Sequence, residues 1–188
     1  SNLLFYALAP DVEARVADPE TGEKVPYGTV GELQIKRSTR STSYINKPEL
    51  NAASWTADGY FKTGDANIAV QLPDVMVLIA FCCRYLDNLI GKDGNRHWAF
   101  QVEAAVQAMS SVLDVLVAAD PKNPQGFAVG AVPQEGISSE ELTRQIMEAH
   151  RDSPYNIRVF VLDSTYDTSR TAISKRDRKG LIKLAHKI

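Results

Sequence analysis

The chain has 188 residues, 44% of them hydrophobic and 23% charged, with a net charge of −2. That balance fits a globular protein of one domain or two small ones, and gives no bulk attraction to nucleic acid or anionic membrane. The longest apolar run, Val75 to Cys83, is strand length and well short of the ~20 residues a membrane helix needs, so no membrane span is expected.

In chain order, Val12, Ala14 and Val16 alternate with Glu13 and Arg15, the pattern of a half-buried strand. Turn clusters at 18–22 and 25–28 follow, and Val30 to Lys36 alternates again. Two short strands about a Gly/Pro loop predict a small antiparallel sheet. Leu50, Ala53 and Trp55 outline the apolar face of a short helix that ends at the Asp58-Gly59 turn. In Thr63-Gly64-Asp65 the glycine predicts a sharp turn at a strand end, with a carboxylate at its exit. Ala66–Val70 and Val75–Cys83, around Gln71-Leu72-Pro73-Asp74, read as a hairpin, and the charged run Arg84 to Asp87 marks a domain boundary.

The remainder changes rhythm. Asn88 to Arg96 is a short strand entering a Gly-Asp-Gly turn. Phe100–Met109 is helical, with Val102, Ala105, Val106 and Met109 on one face. Strands are expected at Val112–Ala118, Phe127–Val132 and Ile157–Leu162. Ser138 caps a helix to about His150, with Glu141 completing a capping box. A polar loop, Asp163 to Ser174, leads to a basic helix from about Lys175 to His186. The fold class is therefore α/β (α+β): a small antiparallel β subdomain at residues 1–86, then a compact α+β domain at 87–188 with a short sheet and helices.

The only cysteines, Cys82 and Cys83, are adjacent and poorly placed to bridge each other, which points to a reducing compartment, the cytoplasm. His97, His150 and His186 show no ligand spacing, so no metal site is expected in the protein itself.

Three segments, in order, carry a resemblance: Gly28-Thr29-Val30-Gly31-Glu32-Leu33; Tyr44-Ile45-Asn46-Lys47-Pro48-Glu49, preceded by Ser43; and Asp58-Gly59-Tyr60-Phe61-Lys62-Thr63-Gly64-Asp65. The last is the most specific. Together they resemble the adenylate-forming superfamily of acyl- and aryl-CoA synthetases, luciferases and nonribosomal peptide synthetase adenylation domains. The resemblance covers only the back of the family's pattern, because the Gly/Ser/Thr-rich phosphate loop is absent. It implies the last subdomain of a large adenylation domain followed by the whole small mobile domain. It further implies a part of an ATP-dependent ligase that forms an acyl-adenylate and transfers the acyl group to a thiol.

The cofactors implied are ATP/AMP with Mg2+, and CoA or phosphopantetheine as acceptor. The partners implied are a carboxylic acid, the missing N-terminal part of the parent enzyme and a carrier protein. By the same resemblance Asp65 holds the ribose hydroxyls, Asp87 is the hinge, and Gly94 lets a pantetheine arm pass. The family's ribose-binding arginine falls at Tyr85, one place after Arg84; a one-residue shift in the strand assigns the contact to Arg84. Ala99 stands where the family often has proline. Arg170 to Arg178 resembles the family's lysine loop, keeping Thr171, Lys175 and Arg178 but replacing Ser-Gly by Ile173-Ser174. Lys175 is then the catalytic lysine. The alternative left open is a degenerate, non-catalytic domain used for docking.

Overall fold

The computed structural model describes residues 5–37, 43–73, 76–163 and 178–187. They form two compact units that meet in sequence between Tyr85 and Leu86.

The first unit is β1 (Phe5–Ala7), β2 (Val12–Ala17), β3 (Val30–Arg37), α1 (Pro48–Ser54), β4 (Phe61–Gln71) and β5 (Val77–Arg84). The strands make one antiparallel sheet in the order β1-β5-β4-β3-β2. Val16, Ala69 and Ile79 form its buried cluster, with Leu33 and Val77 against them. The expected alternation in β2 and the hairpin from β4 to β5 are present, but in β3 the polar Glu32 and Gln34 are buried and Leu33 and Ile35 only half-buried. Two expectations are corrected. Thr63-Gly64-Asp65 does not end a strand, because β4 runs through it unbroken. The short helix forms at Pro48–Ser54, but Leu50 and Ala53 are exposed and Ser54 is buried instead. Ser54 can be buried because its hydroxyl donates to Leu50 O at 2.6 Å, inside its own helix. Trp55 leaves the helix in extended conformation and packs on Phe61, ring centroids 4.8 Å apart.

The second unit is β6 (Asn88–Ile90), β7 (Arg96–Trp98), α2 (Ala99–Gln107), β8 (Val112–Ala119), β9 (Gly126–Pro133), α3 (Ser139–Ala149), β10 (Asn156–Val161) and α4 (Arg178–Lys187). β6 and β7 form a separate two-stranded ribbon. The other strands make a sheet in the order β10-β9-β8, parallel between β10 and β9 and antiparallel between β9 and β8. Both faces are covered, so β8 reads as a continuous apolar run from Val115 onward. Val115 and Val117 pack with α2 and α3 through Val102, Val106, Leu142 and Ile146. Leu116 and Ala118 pack with α4 through Leu181 and Ala185. Gly130 in β9 lets this second layer close down, since a Cβ there would meet Leu162 and Leu181 at 2.9 Å.

Ser138 caps α3, accepting from Glu141 N–H at 3.2 Å. The capping box is not completed: the Glu141 carboxylate accepts from Arg144 and Gln145 instead. In α2 the buried residues are Ala99, Val102 and Val106, while Ala105 is exposed. The fold class is mixed α+β, as expected.

Candidate functional site

Around Thr63 the pairing of β3 with β4 loses register. Glu32 faces Ala66 and Gln34 faces Lys62, so Thr63, Gly64 and Asp65 lie opposite Leu33 alone. The motif is a bulge inside a strand. Gly64 takes φ +69, a left-handed conformation that glycine adopts without steric cost. A bulge detaches backbone groups from the ladder, and each must find another partner. Thr63 Oγ1 donates to Leu33 O at 2.7 Å and accepts from Asp65 N–H at 3.1 Å. Gly64 N–H donates to Glu32 Oε1 at 3.1 Å. Gly64 O accepts from Tyr85 N–H at 2.8 Å.

The opposite edge of β4 carries a second irregularity. Asn67 pairs with Phe81, but Ala66 pairs with Cys83 and Asp65 with Arg84, leaving Cys82 as an extra residue in β5. Side chains alternate along a strand, so this one-residue step decides what faces Asp65. Arg84 Nη1 donates to Asp65 Oδ1 at 2.5 Å. Their side chains are 53% and 32% exposed. Among the described residues neither makes another side-chain hydrogen bond or ion pair. The pair therefore offers an open carboxylate oxygen beside free guanidinium N–H groups, a donor set that fits a vicinal diol. Burial raises the Cys82 thiol to about 11, so it does not behave as a thiolate.

Sequence reasoning missed what lies behind this pair. Glu32 is 6% exposed and Gln34 fully buried, although both sit on the polar side of an alternating strand. Gln34 Nε2 donates to Glu32 Oε2 at 3.3 Å, and Arg15 Nε donates to Gln34 Oε1 at 2.8 Å. Arg15 also forks onto Asp58 and lies 4.2 Å over the Tyr60 ring. Hydrogen bonds from Thr56 and Arg15 hold the Asp58 carboxyl at about 2. Gly31 is required by packing, since a Cβ would meet Ala17 O at 2.7 Å. A shallow cleft of about 330 Å³ in this unit is lined by Leu8, Val16, Tyr60 and Ile79, among others, and not by Asp65 or Arg84.

In the second unit, Asp87 lies 3.5 Å from Arg178 Nε. Arg178 also donates to Glu103 Oε2 at 2.9 Å and to Val117 O at 2.8 Å. Ala99 N–H donates to Asp87 O at 2.9 Å, a bond that proline at 99 could not make. Gly94, φ +76, occupies the turn between β6 and β7 and has nothing within 4 Å of where a Cβ would stand. Beside it, hydrogen bonds from His97 and then Asn95 hold Asp93 at about 2. The structure thus brings Asp65 and Arg84 together; Asp87 and Gly94 belong to the other unit, and Lys175 lies outside the described residues. Among the described residues no three His, Cys, Asp or Glu side chains converge as for a metal ion, and no helix is long and apolar enough to cross a membrane.

No protein-family model matches the chain. Individual proteins do. A 4-coumarate–CoA ligase-like protein of Oryza sativa subsp. japonica is 30% identical over 180 residues, 95% of this chain and 32% of the relative. Pyochelin synthase PchD of Pseudomonas aeruginosa is 30% identical over 174 residues, 90% of this chain and 31% of the relative. The fold is that of ATP-bound MatB from Rhodopseudomonas palustris, with a TM-score of 0.72 at 22% identity over 93% of this chain and 34% of that one. The chain belongs to the adenylate-forming superfamily. It spans about a third of the length of the curated relatives it matches.

Proposed function

We propose that the chain is the C-terminal portion of an ATP-dependent ligase that activates a carboxylic acid as its acyl-adenylate and passes the acyl group to a thiol. The observation that carries this is the Asp65–Arg84 pair, set in register on adjacent strands with one carboxylate oxygen open. One ribose hydroxyl donates to that oxygen and the other accepts from the guanidinium. The ATP-bound neighbour supports the same nucleotide, and the name of the 4-coumarate–CoA ligase-like relative supports the ligase class.

In the parent enzyme a carboxylate oxygen attacks the α-phosphorus of ATP. The bond to the bridging oxygen breaks, and pyrophosphate leaves with the electron pair. Negative charge gathers around phosphorus, and the Lys175 ammonium is the donor assigned to it. Mg2+, when bound, screens the phosphate charge. In the second step the acceptor thiol, of CoA or of a carrier protein's phosphopantetheine, loses its proton to solvent. Its sulfur attacks the acyl carbon, and AMP departs. Asp87 serves as the hinge between the two steps, and the open flank of Gly94 admits the pantetheine arm. The upstream part of the parent supplies the phosphate loop and the acid pocket. The adjacent, unbridged cysteines favour the cytoplasm.

The test is carboxylate-dependent ATP–pyrophosphate exchange by the parent polypeptide against fatty, aryl and amino acids, with Lys175→Ala in parallel. Exchange is expected with one class of acid. The variant should lower it about a hundredfold, equivalent to about 2.7 kcal/mol of barrier. Exchange untouched by Lys175→Ala moves the lysine's role elsewhere. A folded parent that exchanges with no acid overturns the ligase reading in favour of a docking domain.

A further inference from the structure

We infer that Glu32 is a positioning residue for the nucleotide site: it holds the bulge that aims Asp65, and is itself oriented by a buried chain through Gln34 and Arg15. The inference rests on the reading of Asp65 and Arg84 as the ribose contact.

The bulge creates the need. With Thr63, Gly64 and Asp65 opposite one residue of β3, the N–H of Gly64 has no strand partner. It is answered by Glu32 Oε1 at 3.1 Å, from a side chain 94% removed from solvent. A buried carboxylate is expensive unless its oxygens are hydrogen-bonded, so its presence calls for a reason. Its second oxygen has its own donor, Gln34 Nε2. The Gln34 amide can present that nitrogen because its oxygen is taken by Arg15 Nε at 2.8 Å. Arg15 is held in turn by the two oxygens of Asp58, at 2.7 and 3.1 Å. One hydrogen-bonded path thus runs Asp58–Arg15–Gln34–Glu32–Gly64 and stops one residue short of Asp65. It links three stretches that appear in the sequence as separate motifs: Gly31-Glu32-Leu33, Asp58-Gly59-Tyr60 and Thr63-Gly64-Asp65. Glu32 itself does not reach the open oxygen of Asp65, so its part in the reaction is to fix where that oxygen points.

The roles predict a graded response in the parent enzyme. Glu32→Ala leaves Gly64 N–H unsatisfied and frees the bulge. KM for ATP should rise about tenfold, the size expected for an unpaired buried donor, with kcat within about threefold. Glu32→Gln keeps an amide oxygen for Gly64 N–H but turns its NH2 onto the Gln34 Nε2 donor, so KM should rise by less than in Glu32→Ala without returning to the original. Gln34→Met removes the donor to Oε2 but leaves the Gly64 bond, and should give an intermediate rise. A side chain that only stabilised the fold would lower the amount of active enzyme and leave KM for ATP unchanged in all three. Asp65→Ala is the reference. If it raises KM for ATP while Glu32→Ala and Gln34→Met do not, the positioning role is overturned and the ribose site stands. If Asp65→Ala leaves KM for ATP unchanged, the ribose site itself falls. Should Glu32→Ala fail to fold, the Glu32→Gln and Gln34→Met pair decides: both lose the bond between Gln34 and Glu32, and an unchanged KM for ATP in both overturns the role.

Discussion

At the scale of single residues, Gly64 answers a need that composition cannot reveal. Its φ of +69 lies where an L side chain is strained, yet a Cβ there would touch nothing within 4 Å. Gly64→Ala therefore isolates backbone strain from crowding. It should destabilise the first unit by roughly 1–2 kcal/mol, and Gly64→Asn by less, because asparagine tolerates the left-handed region. Urea unfolding followed by tryptophan fluorescence is the check, since Trp55 packs on Phe61 close to the bulge. Equal stability of the alanine variant and the original would mean that the strand relaxes around position 64. Thr-Gly-Asp was legible as a motif, but not as a bulge, because the extra residues are counted only once β3 lies alongside. Glu32 and Gln34 were hidden for a related reason. Alternation assigns polar residues to the wet face, and here that face is dry and its polar atoms satisfy one another.

At the scale of elements, the second unit depends on how α4 is fastened to its sheet. The last turn of a helix leaves carbonyls without intrahelical donors. Ala185 O accepts from Arg158 Nη2 at 2.9 Å, across from β10. The same guanidinium forks onto Asp120, at 2.9 and 2.6 Å, and that carboxylate is 3% exposed. Removing one member of a buried pair strands the other, typically at about 3–5 kcal/mol. Arg158→Leu should lose about 3 kcal/mol, the low end, because the arginine itself keeps some solvent. Asp120→Asn should lose less, since an amide oxygen can still accept from Lys122 N–H. Denaturant unfolding of both single variants and the double variant would show the coupling; a loss under about 1 kcal/mol for Arg158→Leu would place the pair with ordinary surface bridges. The helices and long strands of this unit were visible in the periodicity because β9, and β8 from Val115 onward, are apolar and α2 repeats at helical spacing. The strands Phe5–Ala7 and Arg96–Trp98 were not, since three residues carry too little pattern to distinguish them from turn. Nor does a local pattern report a partner such as Arg158–Asp120, separated by 38 positions.

At the scale of the whole chain, the two units differ in the kind of core they own. The second buries Leu89, Trp98, Leu116, Phe127, Leu142, Ile146 and Leu181, with a run of valines between them. Fully burying a Leu, Ile, Val or Phe side chain contributes about 1.5–3 kcal/mol. Among the described residues of the first unit the buried apolar ones are Val16, Ala17, Ala66, Ala69, Ile79, Ala80 and Cys83, mostly one-carbon side chains. Sheet hydrogen bonds hold that unit together with little apolar burial behind them, and a net hydrogen bond is worth only about 1 kcal/mol. The units should therefore open separately. In native-state hydrogen exchange of the whole chain, amides of β8 and β9 should exchange only through global opening of the second unit. Amides of β2 to β5 should exchange at least about a hundredfold faster, an opening free energy lower by ~2.7 kcal/mol. Equal protection in both sheets would show that the buried polar chain through Glu32 and Gln34 stabilises the first sheet as strongly as an apolar core does. Faster exchange confined to the edge strands β1 and β2, with β3 to β5 as slow as β8, would locate that stabilisation at the bulge, because β3 and β4 are the strands it joins.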